Sequence, residues 1–80
     1  MAVRLVFLGK LADLAGAPER EVAGPLDWPA LVSALERDLG EWLIGDKLKL
    51  ALNGTVLADK TALQAKDGDE VALLPPVSGG

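Results

Sequence analysis

The stretch best suited to chemistry is the end of the chain, Pro75-Pro76-Val77-Ser78-Gly79-Gly80. Two prolines cannot donate to a sheet ladder, so they end the preceding strand and hold the chain extended. The residues after them offer nothing to pack on the protein itself, so a flexible tail projecting into solvent is expected. Without a Cβ on either of its last two residues, such a tail is the slimmest carrier of a carboxylate into another protein's active site. At an average usage of roughly 7%, a terminal pair of glycines arises by chance in about one chain in two hundred. A frayed end is the plain alternative.

Other routes to chemistry are few. Histidine and cysteine are both absent, which removes a thiolate nucleophile, a Cys-based zinc site and any disulfide. A nucleophile–base pair would have to come from Ser, Thr, Lys or a carboxylate. Ser33 and Ser78 have no base at a readable spacing, and Lys10, Lys47, Lys49, Lys60 and Lys66 read as solvated. Gly9 and Gly16 lack the spacing of a phosphate-binding loop. Asp67-Gly68-Asp69 lacks the twelve-residue calcium pattern and reads as a polar turn, so no metal is expected. Twelve acids against eight bases give a net charge of −4. That balance argues against nucleic acid and for a partner with a basic surface. The opening residues lack a signal-peptide pattern and no apolar run approaches membrane-spanning length, so a cytoplasmic protein without membrane contact is expected.

The elements that must position the tail can be read in order. Residues 2–8 form a strand with Val3, Leu5 and Phe7 on its core face and Ala2, Arg4, Val6 and Leu8 on the other. Residues 9–16 read as a short helix ended by Gly16, and the charged run 19–23 as an edge strand. Asp27 is an N-cap candidate for the main helix, with Leu31, Leu35 and Leu39 along its buried stripe and Gly40 as its stop. Residues 41–46 have no clear assignment, with Trp42 expected to seal the helix end against the sheet. Leu48, Leu50 and Leu52 alternate inward before Asn53-Gly54, a strong hairpin signal, and Val56 falls on the outer face of the return. Residues 58–66 read as irregular with at most one helical turn, tucking Leu63 under the core. The last strand, 70–74, turns Val71 and Leu73 inward and Leu74 outward. The first and last strands carry the least charge and are the expected central pair of a mixed sheet crossed by one helix, an α+β fold.

From its opening strand through Leu14-Ala15-Gly16, Asn53-Gly54 and Asp67-Gly68-Asp69-Glu70 to the double-proline diglycine ending, the chain resembles the molybdopterin synthase small subunits. These belong to the ubiquitin-like sulfur carriers. The resemblance implies a β-grasp domain over 1–74 and an extended tail over 75–80. It implies no tightly bound cofactor: a ubiquitin-activator-like enzyme would use ATP to adenylate Gly80, with Gly79 beside it. A sulfur donor would make the thiocarboxylate. The large synthase subunit, contributing the catalytic groups in a two-plus-two complex, would then pass sulfur to cyclic pyranopterin monophosphate. The positions of Leu8, Val56 and Leu74 match a hydrophobic contact with that subunit, with Pro75, Pro76, Val77 and Ser78 entering it. Rival readings are a sulfur carrier for tRNA thiolation, thiamine or cysteine synthesis, a protein modifier joined through Gly80, and a scaffold with an inert tail.

Overall fold

The computed structural model describes residues 2–76. The first strand, β1 (Ala2–Phe7), is followed by α1 (Lys10–Ala15), which ends at Gly16 in the left-handed conformation, φ 79°. Strand β2 (Glu19–Ala23) returns antiparallel to β1, and a two-residue strand β3 (Leu26–Asp27) leads into α2 (Trp28–Ala34). Asp27 caps α2 by accepting from the Ala30 N–H at 3.0 Å. Helix α3 (Arg37–Ile44), the hairpin of β4 (Lys49–Leu52) and β5 (Thr55–Val56), a 3₁₀ turn (Lys60–Ala62), β6 (Gln64–Ala65) and β7 (Glu70–Leu74) complete the described chain.

The main sheet has the order β2-β1-β7-β4-β5, with β1 and β7 parallel at its centre and the other neighbours antiparallel. Strands β3 and β6 form a separate two-stranded pair. This is the β-grasp arrangement, and the charged β2 lies at one edge as its composition requires. The Asn53-Gly54 hairpin has both residues at positive φ, 51° and 87°, as a tight turn compatible with strand twist demands.

One layer of helices covers one face of this sheet. Val3, Leu5, Phe7, Leu50, Val71 and Leu73 point into it and meet Leu11, Leu31, Leu39 and Leu43, all at most 2% exposed. Leu63 is buried beneath the 3₁₀ turn, whereas Leu52, near the hairpin, is only half-buried. No polar or charged residue is buried among those described.

The main helix departs from the sequence reading. It breaks at Leu35, whose backbone is extended (φ −102°, ψ 148°), and a second helix carries the chain through Gly40 to Ile44. Glu36 at the break receives two hydrogen bonds from the Arg20 guanidinium, at 2.5 and 3.1 Å, and Arg20 also donates to the Ala15 carbonyl at 3.3 Å. Edge strand, first helix and helix break are thus tied by one side chain. Gly40 remains helical because Leu39 and Leu43 are buried on either side of it, which outweighs the roughly 1 kcal/mol that glycine costs in a helix interior.

Candidate functional site

Strand β7 delivers the chain to Pro75 and Pro76 from the middle of the sheet, with β1 on one side and β4 on the other. Val77, Ser78, Gly79 and Gly80 lie outside the described residues. Directly after β1, Gly9 adopts φ 56°, ψ −134°, a conformation that glycine alone enters freely. A Cβ there would sit 3.4 Å from Pro75 Cγ, so the chain leaving β1 passes close beneath the base of the tail.

Next to this exit the uncovered face of the sheet is apolar. Cross-strand register places Val6, Ala72, Ala51 and Val56 in one row across β1, β7, β4 and β5. The next row toward the tail contains Leu74 opposite Lys49, and the Leu8 N–H donates to the Leu73 carbonyl at 3.4 Å, which sets Leu8 beside Leu74. Leu8 and Val56 are 41% and 55% exposed and Leu74 is half-buried. Away from the tail the same face becomes charged: Arg4 stands opposite Glu70 and Glu21, with ion pairs to Glu70 at 3.8 Å and Glu19 at 3.7 Å. The three expected contact residues therefore share one surface. Val6, Ala51 and Ala72 belong to it as well, and their shared row depends on cross-strand register that local alternation leaves open.

A second feature flanks the tail on the helical side. A groove of about 550 Å³ runs between α1, α3 and the loop to β4, with Leu14, Trp42, Leu48 and Pro76 on its walls and Asp38, Glu41, Asp46 and Lys47 around them. Trp42 packs partly against the core from within α3, rather than closing the end of a helix, and the Lys10 ammonium lies 4.0 Å from its ring centroid. Lys60, expected to be solvated, donates instead to the carbonyls of Gly45 and, at 3.0 Å, Leu48, so it fixes the loop that forms one wall. Burial pushes its pKa below the usual lysine value.

Below the sheet, the Asn53 turn is locked to the approach to β7. Asn53 donates to the Asp69 carboxylate at 3.1 Å and accepts from the Glu70 N–H at 2.9 Å. Asp69 also accepts from the Lys66 N–H at 2.8 Å, and these bonds hold its carboxyl below the ordinary range. The strand that presents the tail is thereby pinned at its start.

Chemically, the described residues supply a rigid mount and two apolar surfaces on either side of Pro75–Pro76. Ser33 is exposed on α2 and has no hydrogen-bonded base among the described residues. Among the described helices none is long and apolar enough to cross a membrane.

Comparison with known proteins agrees with this architecture. A Drosophila melanogaster protein named molybdopterin synthase sulfur carrier subunit is 35% identical over 81 residues, spanning 98% of this chain and 90% of that one. Among solved structures, subunits 1 and 2 of the molybdopterin-converting factor from Helicobacter pylori, seen as a protein–protein complex, include a chain 30% identical that superposes with a TM-score of 0.70 over the full length of both. The solution structure of small archaeal modifier protein 1 from Methanosarcina acetivorans shares the fold, with a TM-score of 0.79 at 24% identity over 99% of this chain and 96% of that one. The ThiS family model matches residues 5–80, from within the first strand through both glycines, and the chain belongs to the ThiS family.

Proposed function

We propose that this chain is the sulfur-carrier subunit of a molybdopterin synthase, with Gly80 as the group that carries sulfur. The observation that supports it most is the 35% identity, over nearly the whole chain, to a subunit of that name. The absence of His and Cys agrees with it, because a carrier without a thiol has its terminal carboxylate as the remaining place to hold sulfur.

In this reading the Gly80 carboxylate attacks the α-phosphorus of ATP on an adenylating partner, and diphosphate leaves. Hydrosulfide, delivered by a sulfur donor, then attacks the carbonyl carbon of the acyl-adenylate and loses its proton. The C–S bond forms, the C–O bond to AMP breaks, and a thiocarboxylate remains. Within the large synthase subunit its sulfur bonds to a side-chain carbon of the pterin precursor as the C–O bond at that carbon breaks and the oxygen leaves. Water then attacks the thioester carbonyl, the C–S bond to Gly80 breaks, the thiolate stays on the pterin and Gly80 regains its carboxylate. The catalytic acids and bases belong to the large subunit.

The outer sheet face supports the docking half of this proposal. Ordering residues 75–80 in a partner costs roughly 1–2 kcal/mol per residue in backbone entropy. Burying the Leu8, Val56 and Leu74 surface offsets that cost and holds the tail in register with the partner's active site.

The test is the intact mass of the protein purified from its own cells, with fragmentation of its C-terminal peptide. An oxygen-to-sulfur mass increase at Gly80 is the expected result. Recovery of Gly80 in isopeptide linkage to lysine would instead make the protein a modifier. Unchanged molybdopterin formation after deletion of Gly79 and Gly80 would end the carrier reading altogether.

A further inference from the structure

The groove on the helical side is separate from the outer sheet face, yet both meet at the base of the tail. Its floor is apolar, with Leu14 43% exposed, and Ile44 at the end of α3 is 60% exposed. Its border is acidic. Asp38, Glu41 and Asp46 line it with Lys47, and the Lys10 ammonium lies 4.0 Å from the Trp42 ring centroid, so acids still outnumber bases around the groove. Glu41 is partly balanced by Arg37 at 3.6 Å, and Asp46 lies near enough to Lys60 to act on its ammonium. Lys60, however, already donates to two carbonyls, and Asp38 enters no ion pair among the described residues.

We infer that this groove is a second docking surface, whose occupant is a basic protein segment that inserts an apolar side chain against Leu14 and Trp42 and sets lysine or arginine against Asp38 and Asp46. Charge complementarity selects that chemistry. It also argues against the chain's own last residues as the occupant, since their carboxylate would face three acids across an apolar floor. The loop wall is held in place by Lys60, so the surface exists before binding and little ordering opposes it. A partner using this groove leaves the outer sheet face free. The base of the tail could then be held from one side while the other side is exchanged. This inference rests on the tail being gripped by partners, but not on what the tail carries.

The experiment is an NMR titration of the isotope-labelled full chain with a capped hexapeptide of alternating leucine and lysine. Expected are shifts at the Trp42 indole N–H and the Leu14 methyls, weakened by added salt. Asp38→Lys and Asp46→Lys, both at exposed positions, should each reduce affinity at least threefold while the remaining amide spectrum is preserved. The inference is overturned if the shifts map to Val56 and Leu74, if no shifts occur, or if a leucine–glutamate hexapeptide binds equally well. It is also overturned if the peptide binds only after residues 77–80 are deleted, because the groove would then belong to the tail. The peptide assay involves no activated terminus, so its failure leaves the sulfur-carrier reading standing.

Discussion

The two faces of the central sheet are made from similar aliphatic residues and meet different surroundings. On the inner face, Val3, Leu5, Phe7, Leu50, Val71 and Leu73 lie under the helices with at most 2% exposure. On the outer face, Val6, Ala72, Ala51 and Val56 form a row with no helix above it, and Leu8 and Leu74 extend it to the tail. Apolar side chains on the inner face stabilise the domain whether or not a partner is present. On the outer face Ala51 is buried at 6% exposure and Val6, Ala72 and Leu74 are half-buried. Leu8 and Val56 keep 41% and 55% of their surface open, so that part of their apolar area is gained only if another protein covers it. Residue type alone therefore does not separate the covered from the uncovered sheet face in so small a domain; the strand register relative to the single helical layer does.

The comparison can be broken most sharply at Leu50, which is fully buried. Leu50→Ala should destabilise the domain by about 2–5 kcal/mol through lost transfer energy and a residual cavity. A urea melt measures it, and a loss under about 1 kcal/mol would mean that the inner face is not the principal core. On the outer face the expected balance is reversed. Leu74→Asp and Val56→Asp should each weaken association with the large synthase subunit at least tenfold, about 1.4 kcal/mol, in calorimetry. Val56→Asp, at a largely exposed site, should shift the urea midpoint by no more than an ordinary surface change, about 0.5 kcal/mol. Equal binding by both variants would remove the outer face from the interface.

The smallest effect is one of pH. Neither sheet face buries a titratable group among the described residues, so pH dependence belongs to the periphery. The Arg20 guanidinium holds Glu36 below its ordinary value, the Thr61 hydroxyl and N–H do the same for Asp59, and the Lys66 N–H and Asn53 amide for Asp69. Carboxyls lowered in the folded state bind fewer protons than in the unfolded chain. Their stabilisation is present above the ordinary carboxylate range, near pH 4, and fades as the pH falls through the lowered folded values. The urea midpoint should decline gently from pH 6 to pH 3, and less steeply in a Glu36→Gln, Asp69→Asn double variant. An unchanged slope would assign the acid sensitivity elsewhere.

Much of the fold is legible locally. Val3-Leu5-Phe7 and Val71-Leu73 mark their inward faces by alternation, Asp27 caps a helix, and Asn53-Gly54 turns a hairpin. The double-proline, diglycine ending is suggestive by residue type and order, and becomes a carrier tail through its resemblance to the sulfur carriers; Val77, Ser78, Gly79 and Gly80 lie outside the described residues. The break between α2 and α3 is not legible, because Leu31, Leu35, Leu39 and Leu43 keep a spacing that one continuous helix would also satisfy. What fastens that junction comes from elsewhere in the chain: Arg20, sixteen residues before Glu36, reaches across to it. Lys60 is similar, since nothing beside it in sequence reveals that its ammonium reaches two carbonyls in another loop. The groove needs both long-range events and so escapes local reading entirely.

The central place of β7 also has a mechanical side. The tail continues a strand laddered on both sides, parallel to β1 and antiparallel to β4. A pull on the tail along the strand axis loads those rungs together in shear, instead of peeling them one at a time as at a sheet edge. A strand placed centrally is thus harder to strip from the sheet by a pull on its end than an edge strand would be.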